Sequence, residues 1–280
     1  MNPAKITILA PGLIGGSVAL AATKAFPKAK IAVWTRRHES LPSIRTVLPK
    51  ADVSIDPSLA TDADLVVLGS PPSALPELVR SILPFLKPSA LVTDVASIKG
   101  PLENIMAHLL QNKARWIGSH PMAGSEESGI AVARADLFQN APVILTPTPT
   151  TPADVTRDAT SFWQALGARV LTLTPQAHDE QIARISHLPH LIASALVLAA
   201  GHDSLPLAGS GYRDTTRVAA GPSELWSEIL CNNRLQVLAS LKDFRSSLND
   251  LVSALKKGDA SALAKILDDA AKIRRTLPTS

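Results

Sequence analysis

Short β-branched runs alternate with helical spacing along the first 170 or so residues. Residues 5–9 (Lys-Ile-Thr-Ile-Leu) read as a buried strand, residues 12–16 as a turn and residues 17–23 as an Ala-rich helix. A second strand is expected at 31–34. Residues 65–69 (Leu-Val-Val-Leu-Gly) are almost continuously apolar, as a central parallel strand covered on both faces requires. Residues 74–86 have helical spacing, and 90–93 form another strand ending at Asp94. Short strands at 116–117 and 142–145, a helix at 153–166 and a last strand at 169–173 complete the series. This alternation predicts a doubly wound parallel sheet over residues 1–174.

After Pro175 the strand runs stop. Residues 182–200 are helical, broken or kinked at Pro189. Val237, Leu241, Phe244, Leu248, Leu251 and Leu255 recur at alternating spacings of four and three, an apolar stripe along one helix face. Gly258 ends that helix, and Asp259 can cap the next, which carries Leu263, Ile266, Leu267, Ala270 and Ile273. Residues 175–280 therefore read as an all-helical substrate and dimerisation domain. The stripe is either an internal seam or a subunit interface. A helical tail with little core of its own favours a homodimer. The Thr/Pro stretch at 146–152 is a loop.

Composition narrows the partners. Lys and Arg number 28 against 24 Asp and Glu, a net charge of +4 that is scattered, and aromatic residues are 4%. No stacking platform lies among the cations, so nucleic acid is not an expected partner. The single cysteine, Cys231, excludes an internal disulfide framework and a Cys-based zinc site, and suits a reducing cytoplasm. No apolar run reaches the roughly 18 residues that span a bilayer, so no membrane partner is expected; residues 188–200 contain Pro189 and His190. Near the N-terminus, Pro11, Gly12, Gly15 and Gly16 interrupt the apolar stretch, which reads as strand–turn–helix rather than a signal peptide.

The first strand runs into Ala10-Pro11-Gly12-Leu13-Ile14-Gly15-Gly16-Ser17, a Gly-x-Gly-x-x-Gly loop with Ala10 in the first place. Such a loop turns tightly and presents backbone N–H groups to a pyrophosphate at a helix N-terminus. Ala10 makes the turn readily if its φ is negative. Gly12 stands at the close-approach position and Gly15 at the helix–strand packing position. With a strand before and a helix after, Gly12, Leu13, Ile14 and Gly15 are candidate cofactor contacts, with Ser70 beyond the 65–69 run. The alternative is a Gly-rich turn without a ligand. The second strand ends in Thr35-Arg36-Arg37, without the acid that bonds the ribose 2′-hydroxyl of NAD. Two arginines beside a hydroxyl suit a 2′-phosphate, so NADP is the expected cofactor, with NAD the alternative. If no ligand binds there, the arginines are solvated charges.

Further segments look chemical. Asp94-Val95-Ala96-Ser97-Ile98-Lys99 follows a strand, where such sheets bind ligands. His120 is followed by Pro121 in a Gly/Ser-rich loop running to Glu126. Ser186-His187-Leu188-Pro189-His190 adds two imidazoles; without a third ligand at a matching spacing, no metal is expected. Tyr212-Arg213-Asp214-Thr215-Thr216-Arg217 sets two cations close together, which suits a substrate with carboxylates.

Taken in order, the Gly-Leu-Ile-Gly-Gly-Ser, Asp-Val-Ala-Ser-Ile-Lys, Gly-Ser-His-Pro-Met-Ala-Gly-Ser-Glu, Ser-His-Leu-Pro-His and Arg-Asp-Thr-Thr-Arg segments resemble the prephenate/arogenate dehydrogenase family of tyrosine biosynthesis, over about residues 5–275. The resemblance implies a Rossmann-type domain followed by a helical dimerisation domain. It also implies NAD(P)-linked oxidative decarboxylation of prephenate to 4-hydroxyphenylpyruvate. The alternatives are arogenate dehydrogenase or a dual cyclohexadienyl dehydrogenase. By the same resemblance His120 is the catalytic base toward the substrate's 4-hydroxyl, and Ser97 helps orient it. Ser186, His190, Arg213 and Arg217 line the substrate cavity, Arg217 binds a carboxylate, and Glu126 lies near the side-chain end. No role attaches to His187. Thr35 stands where NAD-using members carry Asp. With a strand beginning near residue 5 and a helical tail reaching the end, a monofunctional enzyme is expected. Two other classes fit less well. A β-hydroxyacid dehydrogenase or imine reductase would use a lysine in the helical half, where only Lys242 occurs between 175 and 255. A non-catalytic NADP-binding regulator would not need His120, Ser97 and Arg217.

Overall fold

The computed structural model describes residues 1–124 and 127–277. The first elements in chain order are β1 (Lys5–Leu9), α1 (Leu13–Ala25), β2 (Lys30–Trp34), α2 (Leu41–Val47), β3 (Asp52–Ser54), β4 (Leu65–Leu68) and α3 (Leu75–Ile82). They are followed by β5 (Leu91–Asp94), α4 (Gly100–Leu110), β6 (Arg115–Pro121), β7 (Pro142–Thr146), α5 (Ala153–Ala165) and β8 (Arg169–Thr172). The eight strands form one sheet in the order β3-β2-β1-β4-β5-β6-β7-β8.

Neighbouring strands are parallel except β6 and β7, so β7 and β8 run against the other six. The expected doubly wound parallel sheet is present, and the single antiparallel step between β6 and β7 has a physical reason. A parallel neighbour needs a crossover, usually a helix. The described residues between β6 and β7 carry one 3₁₀ turn, Ile130–Val132, and no α-helix, whereas α5 links the parallel pair β7 and β8.

Alternation along the strands builds two cores. Ile6, Ile8, Leu65 and Val67 face Val18 and Ala22 of α1 and Phe162 and Trp163 of α5. Val66, Leu68 and Val92 face Leu75, Val79 and Ile82 of α3 and Met106 of α4. Each fully buried Leu or Ile contributes about 1.5–3 kcal/mol. The strand order reverses between β1 and β4, so the crevice outside their C-terminal ends is the ligand position of such sheets.

Helices follow: α6 (Pro175–Ile182), a π-helical turn (Ala183–His187), α7 (Leu188–Ser204), α8 (Ser210–Thr216), α9 (Ser223–Asn232), α10 (Arg234–Lys257) and α11 (Ala260–Arg274). The irregularity expected at Pro189 takes the form of the π-helical turn just before it. Such turns are frequent at functional sites. The helical run Pro175–Leu207 contains an 18-residue stretch, of mean hydropathy 1.4, that is long and apolar enough to cross a membrane by length and composition. The sequence expectation, which took Pro189 and His190 as interruptions, did not count it. The run also carries buried His178, Asp179 and His187, whose hydrogen bonds tie it to other parts of the same compact unit.

By contact the chain forms two compact units, Met1–Asn233 and Arg234–Ser280, so α6 to α9 belong with the sheet. In the second unit Gly258 (φ +64°) ends α10, and the Asp259 side chain accepts a hydrogen bond from Ala262 N (2.9 Å) to start α11, as expected.

Candidate active site

At the end of β1 the chain turns at Ala10 with φ +60°. This corrects the expectation of a negative φ. Ala10 holds the left-handed shape that a first glycine would adopt. Its N–H donates to Trp34 O (2.9 Å), and its carbonyl accepts from Gly12 N (3.0 Å). A Cβ on Gly15 would lie 3.3 Å from Ala10 O, and one on Gly69 only 2.6 Å from it. A Cβ on Gly12 would meet nothing within 4 Å. Gly12 is also the N-cap of α1 and places no side chain over that helix end.

A cavity of about 720 Å³ opens there, bounded by residues 10–12, 34–37 and 69–71, with Ser40 and Ser43 on its wall. Of the expected cofactor residues, Gly12, Thr35, Arg36, Arg37 and Ser70 line it. Leu13 and Ile14 begin α1, and Gly15 packs beneath the loop. The Ser70 hydroxyl is buried without a hydrogen-bond partner, an orphan that a bound polar group would satisfy. Cavity, open glycine, uncapped helix end and orphaned hydroxyl together fit a dinucleotide. Thr35 is buried, and its hydroxyl accepts from Arg37 N (3.4 Å). Arg37 lies 3.9 Å from Glu39; Arg36 is exposed and forms no ion pair among the described residues.

A second cluster lies at the C-terminal ends of β5 and β6. Asp94 is fully buried and accepts from Ser119 N (2.9 Å) and Ala96 N (3.1 Å), and its other close partner is the Lys99 ammonium. Burial pulls the Lys99 amine below its ordinary value, with Asp94 opposing. Ser97 sits half-buried between the buried Ala96 and Ile98, so both of its neighbours are anchored.

His120, on β6 opposite Ile144 of β7, is 7% exposed. Its Nδ1 lies 2.8 Å from His178 Nε2, and His178 Nδ1 lies 2.8 Å from Asp179 Oδ1. The Asp179 carboxylate also accepts from Lys99 N and Gly100 N, both at 2.8 Å. Asn233 Nδ2 donates to Asp179 O (2.8 Å) and lies 3.1 Å from His187 Nδ1. Burial pushes His120 well below the ordinary imidazole value, and the charged forms of His178, Lys99 and His187 push the same way. Burial likewise lowers His178, against its bond to Asp179, and takes His187 down to about 4. His120 is therefore neutral at neutral pH, as a base must be.

The sequence carries no signal for His178 and Asp179. They lie in the first turns of a helix in Pro-Gln-Ala-His-Asp, a segment with no motif, and only the folded contact of His178 with His120 reveals them. Asp94 and Lys99 lie at the two ends of the 94–99 segment, and the sequence assigns neither a role.

The expected substrate residues fall on two segments. Ser186 and His187 lie on the π-helical turn, and His190 on the first turn of α7. His190 is buried and stacks on Trp226 (centroids 3.7 Å apart, 12° between planes). Burial lowers its pKa. Arg213, on α8, and Arg217, just after it, are exposed. Glu126 lies outside the described residues. Among the described residues no group of three or more His, Cys, Asp or Glu is arranged to hold a metal.

A doubly wound sheet with a dinucleotide cavity at its switch point and a buried neutral imidazole near the C-terminal end of β6 defines a nicotinamide-dependent dehydrogenase. Residues 45–172 match the family model of the prephenate dehydrogenase nucleotide-binding domain, and residues 174–269 that of the prephenate dehydrogenase dimerization domain. The chain is 32% identical to prephenate dehydrogenase of Lactococcus lactis over 282 residues, covering 98% of this chain and 77% of that protein. It is also 32% identical to cyclohexadienyl dehydrogenase of Zymomonas mobilis over 283 residues, covering 98% and 96%. The crystal structure of prephenate dehydrogenase from A. aeolicus in complex with hydroxyphenyl propionate and NAD+ superposes with a TM-score of 0.88 at 29% identity, covering 97% of this chain and 96% of that one. The chain belongs to the prephenate dehydrogenase family.

Proposed function

We propose that this enzyme converts prephenate to 4-hydroxyphenylpyruvate and carbon dioxide, with NADP as the preferred hydride acceptor. The carrying observation is His120, buried, neutral and fixed by a partner on one nitrogen. When bound, the nicotinamide ring accepts hydride from the hydroxyl-bearing ring carbon. The chain does the rest. As that carbon gains carbonyl character its hydroxyl proton becomes acidic, and His120 takes it, a step typically worth about 10²- to 10⁴-fold. Ser97 orients the hydroxyl. Arg217, with Arg213, holds the substrate's carboxylates, and Ser186, His190 and Glu126 line the remainder. Loss of the ring carboxylate completes the aromatic ring.

The backbone of residues 12–15 and Ser70 hold the cofactor. Arg36, with Arg37 beside it, receives the 2′-phosphate, because no acid stands at position 35 and Arg36 has no competing ion pair among the described residues. Residues 1–174 act as the dinucleotide-binding domain and 175–280 as the substrate and dimerisation domain of a cytoplasmic homodimer. A second reading, activity on arogenate alone or on both cyclohexadienols, draws support from the Zymomonas cyclohexadienyl dehydrogenase likeness, which extends over 96% of that protein. Assaying both substrates side by side separates the two.

His120→Asn should lower kcat by about two orders of magnitude or more while substrate binding is retained. Activity within threefold of the parent would overturn the assignment. NADP should exceed NAD in kcat/KM by about 10- to 100-fold, and Thr35→Asp with Arg36→Ile should reverse the order. NAD used at least as well as NADP at low ionic strength would sink the phosphate reading.

A further inference from the structure

We propose that His178 and Asp179 are a positioning pair that dictates which nitrogen of His120 acts as the base; this rests on the reading of His120 as that base.

Donors and acceptors along the pair admit one arrangement of hydrogens. The Asp179 carboxylate can only accept, and it already receives two backbone N–H groups, from Lys99 and Gly100. His178 Nδ1, 2.8 Å from Oδ1, must therefore carry a hydrogen. In neutral His178 the other nitrogen, Nε2, is then a bare lone pair. It lies 2.8 Å from His120 Nδ1, so that nitrogen must be the donor. Neutral His120 is left with its lone pair on Nε2, the only ring position free to take a proton.

The opposite tautomer would face two lone pairs across 2.8 Å in a site where His178 is fully buried and His120 nearly so. Burying two facing lone pairs with no donor between them is strongly disfavoured. When the substrate hydroxyl gives its proton to Nε2, the Nδ1–H bond to His178 remains. The new positive charge then points through one imidazole toward the carboxylate.

Asp179 does a second positioning task. Its bonds to Lys99 N and Gly100 N fix the end of the loop that carries Ser97. A Cβ on Gly100 would come within 2.9 Å of Asp179 Oδ2, so the backbone is drawn up against the carboxylate. One side chain thus sets both the base and the loop of its helper.

Long-range ¹H–¹⁵N correlation on histidine-labelled protein reads the tautomer directly, with His120 assigned by the signals lost in His120→Asn. The expected pattern is a protonated Nδ1 and a bare Nε2 on His120; the reverse would overturn the proposal. His178→Phe keeps the bulk but offers no acceptor. It should lower kcat about 10- to 100-fold, leave both KM values within about threefold, and release the tautomer preference. His178→Gln can place an amide oxygen where Nε2 stood and should recover kcat to within about tenfold of the parent. Equal impairment of the two variants, or His178→Phe within threefold of the parent, would refute the role. If His178→Phe does not fold, the tautomer of the unsubstituted protein still decides. Full activity of His120→Asn would instead overturn the function proposed above, without touching the tautomer result.

Discussion

Replacing Ala10 by glycine should stabilise the protein, although it removes a half-buried methyl group. Ala10 sits at φ +60°, where the Cβ of an L-residue meets its own backbone at a cost of roughly 1–2 kcal/mol. It cannot relax. Its N–H is bonded to Trp34 O and its carbonyl to Gly12 N, and Gly15 and Gly69 are packed around that carbonyl. Glycine removes the strain but adds freedom to the unfolded chain, an offset of roughly 0.4–1 kcal/mol. The lost methyl takes back a few tenths more. The net expectation is a gain of about 0.5 kcal/mol, or roughly 1–2 °C in Tm for a chain of this size. Urea unfolding of Ala10→Gly should show a higher midpoint at an unchanged slope. KM for the cofactor should stay within about twofold, because the loop shape is already the one glycine would adopt. A lower midpoint would refute the reasoning. Gly69→Ala is the opposite control: its Cβ would lie 2.6 Å from Ala10 O and 3.0 Å from Leu9 O, both rigid backbone, and overpacking of this kind costs about 1–3 kcal/mol.

Two further outcomes are expected. His187 falls from 6.5 to about 4 on folding, so between those values the unfolded chain binds a proton that the folded protein refuses. The contribution is intact above pH 6.5 and is lost as the pH falls toward 4, about 3 kcal/mol in all. Urea midpoints at pH 4.5 and 7.5 should differ accordingly, and by less in His187→Asn; an equal difference in both proteins would exclude His187 as the cause. Leu248 and Leu255, on the α10 stripe, are 44% and 63% exposed. Light scattering should give about twice the 29.5 kDa chain mass, and Leu248→Glu with Leu255→Glu should halve it; an unchanged dimer would place the interface elsewhere.

Much of the sheet was legible because its strands are buried on both faces. The nearly continuous apolar run at 65–69 predicted β4, as a strand covered on both faces requires, and the β-branched run at 5–9 predicted β1. The stop at Gly258 and the cap at Asp259 were legible for a local reason, left-handed backbone followed by a side-chain acceptor. Three elements gave weak signals. β3 is three residues with one apolar side chain; α2 has seven; α4 opens with Gly100-Pro101, which reads as a loop although proline is well placed at a helix start. The reversal of β7 and β8 depends on what a connection lacks, and a sequence rarely announces that. Of the candidate site, His120, the Ser97 loop and the glycine loop stood out by composition. The sign of φ at Ala10 did not, because the residue type argued against the conformation that its surroundings impose.

The partners of His120 were invisible for a different reason, and it bears on how such a site is built. The base proposed at the C-terminal end of β6 faces two opposed needs. It must be buried, so that the neutral form persists, and it must keep a polar partner, so that one nitrogen is held and the other left free. The sheet contributes the burial through β6 and β7, but its own buried acid, Asp94, is committed to Ser119, Ala96 and Lys99. The partner therefore comes from α6, in the segment that the dimerization-domain model covers. The family models meet between residues 172 and 174, whereas the compact units divide after Asn233, whose side chain binds Asp179 and approaches His187. The two divisions differ because residues 175–233 complete the site from the helical half while packing with the sheet. Local pattern could find each half of the site, but the bond between His120 and His178 spans 58 positions and exists only once the chain has folded.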